Sequence, residues 1–219
     1  ILKSARSESR LHLRGSPLQK IWHGSLSIPD LCFSNLGSLY VYDCQFLSDA
    51  VLPFNLLPLL PKLETLEVLN CEYVKTIFDV KNRKLKTVNM TTMGATSIPF
   101  PFPLKRLILS KLPNLENVWN EHPQRIPRMQ LLEEVNVDNC KRLASVFPTS
   151  VAKDLLKLES LVVKHCEGLM AIVADDNADP KGTNLELMFR SVKSLTLWDL
   201  PKFNHNGIYC IHDATKIIE

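Results

Sequence analysis

At 219 residues and 45% hydrophobic content, this chain is long enough to bury a sizeable core as one elongated domain. Its net charge of +3 is mild, and Lys and Arg are interspersed with Asp and Glu, so neither nucleic-acid nor membrane binding is implied. The longest apolar stretch, around Leu52 to Leu60, is too short and proline-rich to span a bilayer.

The chain opens at Ile1 without an apolar signal segment, and neither end reads as a polar capping repeat, so a fragment with flanking domains removed is expected. Lys3 to Lys20 carries Lys3, Arg6, Arg10, Arg14 and Lys20 against Glu8 alone. This is a solvated first turn or a surface for a neighbouring domain or acidic partner. Arg10-Leu11-His12-Leu13 reads as an incomplete first copy of a pattern, L-x-x-L-x-V-x-x-C, that then recurs. The full copies are Leu36, Leu39, Val41 and Cys44; Leu63, Leu66, Val68 and Cys71; Leu132, Val135, Val137 and Cys140; and Leu158, Leu161, Val163 and Cys166. Weaker copies replace the cysteine: Leu85, Val88, Met90 and Met93; Leu104, Leu107, Leu109 and Leu112; Val192, Leu195, Leu197 and Leu200. The mean step is about 26 residues, inside the leucine-rich-repeat range.

Each x-L-x-L-x is a short strand whose leucines point one way and whose flanking residues point the other. Stacked in parallel, such strands form an apolar spine with an exposed strand surface opposite. The expected fold is an α/β solenoid, a horseshoe with one parallel sheet of seven or eight strands on its concave face. Apolar pairs such as Val74 and Ile77, Leu115 and Val118, Leu143 and Val146, or Leu169 and Ile172 then turn the chain into mostly irregular or short-helical convex segments. One short helix is expected from Ser150 to Leu156, capped by Thr149 or Ser150 after Pro148. The solenoid covers residues 1–203 in about eight irregular repeats, with 204–219 a degenerate or truncated tail.

Four of the six cysteines hold one repeat position, and no C-x-x-C pair exists to chelate zinc, so buried, unpaired thiols in a reducing compartment are expected. Asp175, Asn177, Asp179 and Glu186 have calcium-loop spacing, but Pro180 stands where a sharply turning glycine is required. The sequon Asn89-Met-Thr91 reads as a chance match on a strand. No phosphate loop, chelating histidine pair or nucleophile elbow is present, and His165 beside Cys166 should point away from it. No enzyme, metal or cofactor is therefore expected.

Residues flanking the strand leucines form three columns on the concave face, to which Leu85–Met93 would contribute Thr87, Asn89 and Thr91. Within them Tyr40, Tyr42, Glu67, Arg106, Glu134, Asp138, Lys164 and Trp198 are the expected partner-binding residues, with Tyr40, Tyr42, Arg106 and Trp198 as anchors. The alternative is that Tyr40 packs on Tyr42, and Trp198 on Lys164, with no ligand.

Leu107-Ile-Leu-Ser-Lys-Leu-Pro-Asn-Leu-Glu-Asn-Val-Trp119, Leu161-Val-Val-Lys-His-Cys-Glu-Gly-Leu-Met-Ala-Ile-Val173 and the segment from Val146 to Leu156 carry a further likeness. Over about Leu11 to Phe203 the chain resembles the leucine-rich-repeat region of plant intracellular disease-resistance proteins of the coiled-coil, nucleotide-binding type. That resemblance implies a cytoplasmic innate-immunity region that recognises a pathogen effector or guarded host protein and restrains a nucleotide-binding switch domain. The alternative is the substrate-recognition region of an F-box ubiquitin ligase, which irregular steps of 19 to 34 disfavour. An extracellular ectodomain would show a recurring L-x-G-x-I-P turn, absent here.

Overall fold

Parallel pairing of the repeated x-L-x-L-x segments builds the main sheet. The computed structural model describes residues 9–15, 33–45, 47–48, 50–53, 56–79, 101–120, 128–174, 189–204 and, as backbone, 215–218. The inner strands are β1 (Ser9–Arg14), β2 (Leu36–Tyr42), β4 (Thr65–Leu69), β6 (Arg106–Ser110), β8 (Glu134–Asp138), β10 (Ser160–Lys164), β12 (Ser194–Trp198) and β13 (Thr215–Ile218). They form one parallel sheet in the order β1-β2-β4-β6-β8-β10-β12-β13. From β4 to β12 the apolar residues alternate with half-buried or exposed neighbours, and Leu66, Val68, Leu107, Leu109, Val135, Val137, Leu161 and Val163 are fully buried. Full burial of each such side chain is worth about 1.5–3 kcal/mol.

The membership of this sheet departs from expectation at two places. β4 is bonded directly to β6, Thr65 opposite Arg106 and Leu69 opposite Ser110, and the Lys105 amide donates to the Glu64 carbonyl at 2.8 Å. No coil built on Leu85, Val88, Met90 and Met93 separates them; that segment lies outside the described residues, as do the sequon at Asn89 and the acidic loop from Asp175 to Glu186. At the other end, where the sequence shows no clear further repeat, β13 pairs with β12. A strand count of eight is thus reached with different members.

The convex side carries more strand than expected. Among the described residues a second short strand follows β2, β4, β6, β8 and β10 in turn: β3 (Ala50–Pro53), β5 (Thr76–Asp79), β7 (Asn117–Trp119), β9 (Ser145–Phe147) and β11 (Ala171–Val173). These form two outer sheets, β3-β5-β7 and β9-β11. Leu66 to Phe78, Leu107 to Trp119, Val135 to Phe147 and Leu161 to Val173 span the same distance in sequence, which brings Phe78 opposite Trp119 and Phe147 opposite Val173. An aromatic ladder runs inside this wall: Phe78 on Trp119 at 5.4 Å, Trp119 by Phe147 at 5.7 Å, Phe147 by Phe189 at 6.1 Å, with Phe102 edge-on to Phe78. It continues across the seam between β7 and β9, where strand pairing stops.

Regular helix is short. Pro58 and its neighbours form only a 3-10 turn at Leu57–Leu59, and α1 spans Thr149–Ala152, less than the expected Ser150 to Leu156. Neither hydroxyl caps it: Pro148 holds the cap position, and the Thr149 hydroxyl instead donates to the Ala174 carbonyl of the next coil at 2.9 Å.

Candidate functional site

Because side chains alternate along a strand, the residues between the spine leucines emerge together on the concave face, and the pairing register aligns them in columns. One column runs Arg10, Ser38, Thr65, Arg106, Glu134, Ser160, Ser194; the next His12, Tyr40, Glu67, Ile108, Asn136, Val162, Thr196; the third Arg14, Tyr42, Leu69, Ser110, Asp138, Lys164, Trp198. All eight expected partner-binding residues stand in these columns, while Thr87, Asn89 and Thr91 do not come between β4 and β6.

Charge and aromaticity divide the face. At its N-terminal end the His12 ring lies nearly parallel on Tyr40 at 4.5 Å, and Tyr40 and Tyr42 stand 6.1 Å apart. The packing of Tyr40 on Tyr42 foreseen as the alternative is therefore present, with His12 added to it. Burial, then the charge of and a hydrogen bond to Glu67, push the Tyr42 hydroxyl up to about 12. Farther along, Arg106 pairs with Glu134 at 2.7 Å, both partly exposed, a contact worth about 0.2–1 kcal/mol. Asp138 accepts from Ser110 at 3.3 Å and meets His165 Nδ1 at 2.7 Å. Lys164 and Trp198 are register neighbours, and Trp198 keeps 39% of its surface exposed.

A row that sequence reasoning missed borders this face. Asp43, Asn70, Lys111, Asn139, His165 and Asp199, one after each inner strand from β2 to β12, have φ between 50° and 55°. Left-handed backbone is costly for most side chains and least so for Asn and Asp, which hold four of these six positions; that recurrence was the available signal. The turn lets each amide from Asp43 to His165 donate to the end of the next strand, as Asn70 does to Ser110 at 3.0 Å and His165 to Trp198 at 3.0 Å. Asp43 also joins neighbouring coils, accepting from Asn70 at 2.6 Å and Arg14 at 3.0 Å, which holds its carboxyl below the usual range.

Immediately after this row the thiols turn inward. Cys44, Cys71, Cys140 and Cys166 are buried and in no disulfide, and Cys44, Cys71 and Cys166 donate to the carbonyl two residues back at 3.1–3.3 Å. Hydrogen bonding between stacked thiols, Cys71 with Cys44 and Cys140 with Cys166, together with burial, pushes Cys71 and Cys140 up. Such thiols are poor nucleophiles. His165 and Cys166 point apart, one to Asp138 and the other into the core.

Among the described residues no cluster of three His, Cys, Asp or Glu side chains could hold a metal, and no helix is long and apolar enough to cross a membrane. A recess of about 20 Å³ lined by Trp119, Ser145 and Pro148 at the outer seam has room for a water and not for a substrate.

A family model described as plant disease resistance protein RPS2-like, leucine-rich repeats, matches residues 7–167, well over half of the chain. No curated protein and no solved structure matches it.

Proposed function

The chain belongs to the RPS2-like leucine-rich repeats of plant disease resistance proteins, and on that premise we propose that its concave face receives a protein partner in plant innate immunity. The partner is a pathogen effector or a guarded host protein, and the same region restrains the receptor's nucleotide-binding domain until that partner binds. The observation that carries this reading is the register that gathers Tyr40, Tyr42, Arg106 and Trp198 on one open strand surface outside the spine. Half-exposed aromatics and arginine among mixed charges are the composition from which protein interfaces draw most of their energy. Four buried cysteines in no disulfide support a reducing compartment, the cytoplasm.

Alanine at these four positions, placed in a receptor carrying this region and expressed in leaf tissue, should abolish partner-dependent activation. The thermal midpoint of the region should change little, since none of the four belongs to the spine. Equal loss from charge reversals at convex Lys75 and Glu116, with the concave variant fully active, would move the partner surface to the other side.

A further inference from the structure

The geometry points to an arginine of the protein partner as the occupant of the N-terminal end of the concave face, its guanidinium lying against Tyr40 and paired with the Glu67 carboxylate. This deepens the reading of the concave face as the partner surface and rests on it. His12 covers one side of the Tyr40 ring at 4.5 Å, and the strand on the other side presents Glu67, its register partner. Tyr42, 6.1 Å from Tyr40, has its hydroxyl pushed up by burial and then by Glu67, which places the carboxylate beside the rings, where its two oxygens offer acceptor positions to a donor from outside.

Charge singles this carboxylate out. Glu134 is paired with Arg106, Asp138 meets Ser110 and His165, and Asp43 is taken by Arg14 and Asn70. Glu67 pairs with no cation among the described residues; its partner is the neutral Tyr42. The nearby cations do not repel a second one strongly: Arg14 is neutralised by Asp43 at 3.0 Å, Arg106 on the strand beside Glu67 is neutralised by Glu134 at 2.7 Å, and Arg10 stands on β1, two strands from Glu67. A ring face beside an available carboxylate draws a cation through the ring quadrupole and a charge-assisted hydrogen bond together. Guanidinium satisfies both at once because it is planar, stacks, and binds carboxylate with two parallel donors, where an ammonium is a hydrated point charge.

The test is a titration of the full chain with three capped tripeptides, Gly-Arg-Gly, its neutral isostere Gly-citrulline-Gly, and Gly-Glu-Gly, followed by NMR of the tyrosine ring resonances. The arginine peptide should shift Tyr40 and Tyr42 saturably at millimolar concentration, and citrulline should bind roughly tenfold more weakly. Glu67→Gln, nearly isosteric, should reduce the arginine response to that of citrulline while leaving backbone amide shifts elsewhere unchanged. Equal responses to arginine and citrulline, a preference for the glutamate peptide, or an unaltered Glu67→Gln variant would overturn the assignment. If the arginine peptide fails but Tyr40→Ala still abolishes receptor activation, the partner surface stands and only its arginine is wrong. If the concave alanine variants activate normally, the surface reading itself falls.

Discussion

The inner and outer walls of this solenoid are made of the same coils, yet one sheet is continuous over eight strands and the other is broken into sheets of three and two. The two walls keep one spacing in the four coils that begin at Leu66, Leu107, Val135 and Leu161, so the break does not come from the lengths of the strand-bearing segments. What differs is the alternation. Inner strands bury every second residue and leave the rest to the concave surface, so each repeats the same register on its neighbour. Outer strands of three or four residues, such as Thr76–Asp79 and Ser145–Phe147, have two or more consecutive buried side chains and few ladder bonds. Their cohesion comes from the aromatic ladder, which holds Trp119 by Phe147 where the backbone pairing stops. The inner wall is specified by pairing and the outer wall by packing.

The largest effect that would test this contrast is truncation of the inner spine. Leu66→Ala or Leu161→Ala should cost about 2–5 kcal/mol in chemical denaturation, whereas Ile172→Ala, half-buried in the outer wall, should cost less. A larger loss at Ile172 would invert the comparison. Next comes the turn that joins the two walls. A Cβ added at Gly168 would sit 2.5 Å from the Lys141 carbonyl oxygen of the preceding coil, so Gly168→Ala should cost about 1–3 kcal/mol by forcing the coils apart. An unchanged urea midpoint would show that the coils separate there freely.

Thr149→Val removes the hydroxyl that ties α1 to Ala174 and should cost about 1 kcal/mol, read as a lower thermal midpoint. The smallest change is expected at the seam. The buried indole N–H of Trp119 has no partner among the described residues, so Trp119→Phe deletes an unsatisfied donor along with part of a ring. The two effects oppose and largely cancel, leaving a net change under about 0.5 kcal/mol. A loss as large as that of Leu66→Ala would mean that the indole, and not ring stacking in general, holds the seam.

The concave columns were legible from spacing alone: once Leu39, Leu66, Leu107, Val135, Leu161 and Leu195 are aligned, the positions of Tyr40, Glu67, Arg106, Glu134 and Trp198 follow. Which of them are engaged did not follow. Arg106, expected as an anchor, is paired with Glu134, and Tyr42 packs with Tyr40.

The sequence by itself determined the inner strands, their buried faces and the inward thiols, because a two-residue alternation and a fixed offset to the cysteine are local facts that each coil repeats. Only the tertiary structure decided that β4 lies against β6 with no coil of Leu85–Met93 between them, that β13 extends the sheet, and that the outer wall divides between β7 and β9. These outcomes depend on adjacency between segments tens of residues apart. How much chain separates two strands in sequence leaves little mark on the pattern within either of them, so neighbours are chosen by hydrogen bonding and packing once the coils have met.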